Sequence, residues 1–127
     1  MIYLASPYTS KEPFIQAMRV KACVALVGVY AQQGVFLFSP IVQGHEAEKV
    51  LGVIGHSTWM AHSFDALATC RAMLLAELPG WDTSKGVRAE IDYCNANKFP
   101  VANLPFDKLS LMIPKHISKF LSEGGYR

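Results

Sequence analysis

Four short apolar runs alternate along the chain with longer stretches in which apolar residues recur at helical spacing. Residues 2–5 are bounded by Ser6-Pro7 and read as a buried parallel strand that ends in a polar loop. From 13 to 33 the pattern is helical: Pro13 suits a first helical position, Phe14, Ala17, Met18 and Leu26 share a broad apolar face, and Gly34 suits the residue past the end. The second half of this helix is apolar almost all round, which predicts burial on both sides, against a sheet and against a neighbouring subunit. Residues 35–38 form a second strand, stopped at Ser39-Pro40 because proline cannot donate to a ladder.

Residues 41–57, with Gly44, Gly52, Gly55 and two histidines, read as a long connection, part of it helical near 47–51 and part a mobile lid. Ser57 or Thr58 caps the next helix, 59–69, where Met60, Phe64 and Leu67 fall at helical spacing. Residues 72–76 are the third strand, followed by the loop Pro79-Gly80-Trp81-Asp82. Thr83 or Ser84 caps a helix over 85–97, and 100–104 is a fourth strand. Residues 109–112 form a short strand or a turn, and 114–122 a final helix ended by Gly124-Gly125. Strands alternating with helices predict one three-layer α/β sandwich, flavodoxin-like or Rossmann-like, over 1–127, with a mostly parallel sheet of four or five strands. In such sheets the loops at the strands' carboxyl ends line the ligand crevice.

Composition narrows the function classes. A chain of 127 residues with 51% hydrophobic and 17% charged residues has more apolar surface than a typical soluble domain, so a homo-oligomer, dimer or tetramer, is expected. The formal charge of +2 is scattered, without the basic stripe a nucleic acid polymer requires. Cys23, Cys70 and Cys94 are far apart and form no disulfide framework or zinc motif. The start Met1-Ile2-Tyr3 lacks signal-peptide features, and the longest apolar stretch, 22–31, is about half a bilayer span, so a cytoplasmic protein with no membrane partner is expected. His45, Glu46, Glu48, His56 and His62 lack the H-E-x-x-H spacing of a metal site, and neither metal nor other cofactor is expected.

The sharpest chemical signal is the loop and helix start running from Leu78 through Trp81, Asp82, Ser84 and Gly86 to Glu90. Ser84 offers a hydroxyl beside unpaired N–H groups, Gly86 admits a ligand closely, and a helix N-terminus favours an anion. Glu90 follows Ser84 by about one and two-thirds turns, which returns its carboxylate towards the same edge. The plain alternative is a simple cap and a solvated glutamate. Against it stand Asp65 on the preceding helix and the polar cluster Tyr3, Ser6, Tyr8 and Thr9 at the end of the first strand. Arg19 and Lys21 read most simply as a solvated patch, and Arg88 either meets a phosphate or is solvated.

Taken in order, Ile2-Tyr3-Leu4-Ala5-Ser6-Pro7-Tyr8, Phe38-Ser39-Pro40-Ile41, Trp59 with Asp65, and Gly80-Trp81 through Ser84-Lys85-Gly86 to Glu90 resemble the nucleoside 2-deoxyribosyltransferase-like superfamily, over residues 1 to about 103. The resemblance implies a flavodoxin-like fold, a nucleoside or nucleotide as small-molecule partner, and cleavage or transfer of an N-glycosidic bond with Glu90 as nucleophile. It assigns Asp65 to positioning the substrate or protonating the base, Tyr3 to orienting the glutamate, and Trp81 to stacking or simple packing. Substrate contacts would come from Ser6, Pro7, Tyr8, Trp81, Asp82, Ser84, Gly86 and Arg88. Ser84 stands where the transferases carry an acidic residue and where the 2′-deoxynucleoside 5′-monophosphate N-glycosidases carry serine, and Ser6 falls at their phosphate-binding serine. Both substitutions imply a monophosphate ligand. Arg71 departs from the aspartate that often starts the third strand in relatives. The competing readings are a non-catalytic nucleotide-sensing module on the same fold and a metal-dependent hydrolase using the histidines.

Overall fold

The computed structural model describes residues 1–125. Strand β1 (Ile2–Ala5) leads into helix α1 (Pro13–Gln32), then β2 (Leu37–Phe38), α2 (Pro40–Leu51), α3 (His56–Thr69) and β3 (Ala72–Ala76). A 3-10 turn (Trp81–Thr83), α4 (Lys85–Ala96), β4 (Val101–Leu104), α5 (Phe106–Leu109) and α6 (Lys115–Gly124) complete it. The four strands are all parallel, in the order β2-β1-β3-β4, with Tyr3 opposite Met73 and Leu74 opposite Ala102. Helices cover both faces, which makes the chain a flavodoxin-like three-layer sandwich.

Period-two alternation divides the core. Leu4, Leu74, Ala76 and Leu104 point to one face, where they meet Met18, Ala22, Cys23 and Leu26 of α1 and Ile117 and Leu121 of α6. Tyr3, Ala5, Met73 and Leu75 point to the other and meet Leu67 of α3 and Val87 and Cys94 of α4. Each of these fully buried leucines contributes roughly 2 kcal/mol of hydrophobic stabilisation. The alternation also aims Tyr3 at α4, a consequence the site depends on.

Helix α1 buries one side in the domain and leaves Phe14 and Val24 exposed on the other, so a single chain covers only half of the helix that sequence marks as apolar all round. By length and composition it is long and apolar enough to cross a membrane. Counting only the uninterrupted run at 22–31 understates it, because Arg19 and Lys21 are its sole charges.

The connection at 41–57 is corrected most. Pro40 opens a twelve-residue helix at its first turn, and Ile41 and Val42 pack on the α1 core. Read as a strand stop, Pro40 hid its second role of presetting helical φ. Gly44 is buried against the Trp59 ring, where an added Cβ would lie 3.4 Å from Cδ2, so it sets how closely α2 and α3 approach. The following turn is pinned by Glu48, whose Oε2 accepts from the Ile54 N–H and from Trp59 Nε1, each at 2.9 Å. Helix α3 therefore starts at His56, capped by Gly55 rather than by Ser57 or Thr58. Residues 109–112 end α5 in a turn rather than a strand.

Candidate functional site

With β2 on one side of β1 and β3 then β4 on the other, the strand order reverses between β1 and β3. The connections leaving their carboxyl ends run to helices on opposite faces of the sheet, and the loops that follow, Ser6 to Thr9 and Leu78 to Ser84, frame a cleft. Its deep lobe, about 540 Å³, is lined by Ser6, Tyr8 and Thr9, by Pro40 and Ile41, by His56, Trp59, Met60 and Ser63 of α3, and by Thr83, Ser84, Lys85, Gly86 and Glu90. An outer lobe of about 230 Å³ shares Tyr8, Thr9, Ile41, Trp59 and Ser63, and reaches His45 and Glu48 on α2.

Glu90 sits on the inward face of α4, in line with Val87 and Cys94 at positions i, i+3 and i+7. Only 6% of it is exposed, in company that is otherwise core. The Tyr3 hydroxyl, wholly buried, donates to Glu90 Oε2. Burial pushes the carboxyl up to about 7, and the Tyr3 hydrogen bond pulls the other way. Desolvation thus outweighs the Tyr3 hydrogen bond, which favours the ionised form. Burial first, and the neighbouring negative charge of Glu90 second, hold the Tyr3 phenol far above its usual range, so Tyr3 is a fixed neutral donor.

The N-terminus of α4 forms a second polar wall. Ser84 is its cap, accepting from Val87 N–H at 3.3 Å, and no acidic side chain stands in the first turn. Lys85 and Gly86 follow in that turn, where backbone N–H groups have no helical partner. Ser6 closes the opposite side and shares a hydrogen with the buried Cys23 Sγ at 3.1 Å. Burial pushes that thiol up to about 11.

The cleft does not gather every residue expected in it. Tyr3, Ser6, Tyr8, Ser84, Gly86 and Glu90 are in or directly beneath it. Asp65 is exposed on the far side of α3: it lies two residues beyond Ser63, about 200° round the helix, so Trp59, Met60 and Ser63 take the inner positions. Trp81 is half-buried against the core cluster that includes Tyr3, Met73 and Val87. Asp82 and Arg88 line a separate open groove outside α4, and Pro7 is buried within its loop.

Arg19 corrects the reading of a solvated patch. It is 3% exposed, and its guanidinium donates to four carbonyls: Tyr8 at 3.2 Å, Thr9 at 2.8 Å, Pro79 at 3.2 Å and Gly125 at 2.5 Å. One side chain thereby ties both loops framing the cleft to the end of α6. Lys21, by contrast, is exposed as expected. The tie was invisible in sequence because its acceptors are backbone atoms.

The chain is a flavodoxin-like α/β domain with a buried carboxylate in the cleft at its sheet's carboxyl edge. Residues 1–105 match the family described as a domain of unknown function, DUF1937, and the chain belongs to that family. No curated protein matches it.

Proposed function

We propose that the protein cleaves or transfers the N-glycosidic bond of a small nucleoside or nucleoside 5′-monophosphate, as its resemblance to the nucleoside 2-deoxyribosyltransferase-like superfamily implies, with Glu90 as nucleophile. The observation that carries this reading is a carboxylate buried at the floor of a ligand-sized cleft and held there by the phenol of Tyr3. A glutamate kept for solubility alone would face water, and one kept for packing would be replaced by an apolar residue, since burying it costs roughly 3 kcal/mol at a carboxyl shifted from 4.5 to about 7.

In this reading an ionised Glu90 oxygen attacks the anomeric carbon, the bond to the base breaks, and water or a second base resolves the glycosyl ester. Tyr3 fixes which oxygen is free, because the other accepts its hydroxyl. Ser84, Ser6 and the first-turn N–H groups of α4 favour a 5′-phosphate, and no carboxylate in that turn repels it.

The test is incubation with the common nucleosides, 2′-deoxynucleosides and their 5′-monophosphates, followed by chromatography for free base. Release of base by the wild type and its loss in Glu90→Ala is the expected result. A protein that binds these compounds and releases nothing would instead be a sensing module.

A further inference from the structure

We propose that His45 is the acid that protonates the departing base, giving the proton from Nε2 while Tyr8 fixes the ring through Nδ1. This rests on the N-glycosidic reading above. That reading leaves one role empty, because Asp65, the carboxyl expected to fill it, stands on the outer side of α3. With the sugar over Glu90 in the deep lobe, the heterocycle enters the adjoining outer lobe, whose walls are flat and apolar at Trp59, Ile41 and Gly44.

The titratable groups facing that lobe are Tyr8, His45, Glu48 and His56. Glu48 is committed: one oxygen accepts from Ile54 and Trp59, and these bonds hold the carboxyl below its ordinary range, so it has no proton to give. Burial and the charge of Glu48 push the Tyr8 phenol up, which makes it a fixed partner rather than an acid. His56 is exposed in the first turn of α3, and among the described residues no hydrogen bond or ring contact fixes its imidazole. The Lys49–Glu46 pair on α2 is exposed and pairs with itself.

His45 is the group that remains. Its Nδ1 lies 2.9 Å from the Tyr8 hydroxyl, and the two rings meet edge to face at 5.8 Å. That bond occupies one ring nitrogen and orients the other. In the step itself, a Glu90 oxygen bonds to the anomeric carbon and the glycosidic electron pair passes to the base nitrogen. His45 enters the step as the imidazolium, its Nδ1–H donating to the Tyr8 oxygen, and its Nε2 proton moves to the base, leaving neutral imidazole. Water then cleaves the ester, freeing the Glu90 carboxylate, and its proton returns to His45.

The experiment compares two leaving groups in wild type and His45→Gln, in whichever of the 5′-phosphorylated or unphosphorylated forms the wild type prefers. One substrate is the nucleoside; the other is the p-nitrophenyl glycoside of the same sugar, whose leaving group departs without a proton. The expected result is a loss of about 100-fold or more in base release, with p-nitrophenolate release within about threefold of wild type. The activated glycoside also reports that the variant is folded. Equal losses on both substrates, no loss on the nucleoside, or a wild type that cleaves only the activated glycoside would each overturn the assignment. A wild type inert on both substrates overturns the N-glycosidic reading itself, a result the variant comparison does not mimic.

Discussion

Tyr3 and Glu90 lie 87 positions apart in sequence and are joined by one buried hydrogen bond, phenol to carboxylate. A strand residue aimed by sheet alternation meets a helix residue aimed by helical period, and neither contact exists until β1 and α4 have both packed. The bond favours the ionised carboxylate, against the larger effect of burial.

Removing it moves the carboxyl further up. In Tyr3→Phe the acid limb of the kcat/KM profile, expected near pH 7 in the wild type, shifts to higher pH, with about a tenfold loss at neutral pH that is partly recovered at pH 8 to 9. A pH-rate profile decides it, and an unmoved limb contradicts the role given to Tyr3.

Stability carries the same signature with a definite sign. Because the folded carboxyl titrates near 7 and the unfolded one near 4.5, the folded state holds the extra proton between those values. Stability is therefore fullest below about pH 4.5, falls through the window up to about 7, and stays low above it. Glu90→Gln keeps an acceptor for Tyr3 and removes the buried charge. It is expected to be more stable than wild type by about 2 to 3 kcal/mol at pH 8 and nearly equal to it at pH 4.5. Urea titrations of both proteins at the two pH values measure this; a variant less stable at pH 8 refutes it.

The Arg19 tie responds to small changes at its edge. Gly80 has φ +94, and an added Cβ would lie 2.6 Å from Arg19 Nη2 and 3.2 Å from the Gly125 carbonyl. Gly80→Ala is expected to lower stability by about 2 kcal/mol or more through backbone strain and displacement of the guanidinium. Arg19→Lys is expected to lose about 3 kcal/mol, since an ammonium does not span four carbonyls. Unchanged denaturation midpoints contradict both.

Asp65 and Ser84 make a matched contrast. Asp65→Ala leaves kcat and KM within about twofold, because the side chain is exposed outside the cleft. Ser84→Ala loses a helix cap worth about 1 kcal/mol and raises KM for 5′-monophosphates about tenfold, with unphosphorylated nucleosides little changed. Steady-state kinetics on both substrate forms separates the two variants.

The strand runs and the helices 13–32 and 85–96 were legible because their apolar period is long and their boundaries carry proline, serine or glycine. Glu90 is singled out in sequence by its spacing to Ser84 and by the resemblance; the fold adds that it is buried in line with Val87 and Cys94. Helix α2 was not legible, because Pro40 ends one element and begins the next, and Gly44 looks like loop until the Trp59 ring is seen against it. The side of α3 that Asp65 takes is not legible in sequence, being settled by a rotation of about 200° from the buried Ser63. The pairing of His45 is not legible in sequence, since its partner, Tyr8, is 37 residues away and becomes a neighbour only through the fold.

The central claim is that Glu90 bonds covalently to the sugar. Its most direct measurement is peptide mapping by mass spectrometry of protein quenched in acid during turnover of the substrate from which it releases base fastest. A glycosyl mass on the peptide bearing Glu90, absent from Glu90→Gln, is expected. Rapid release of base with Glu90 unmodified, or with the sugar on another residue, contradicts the account.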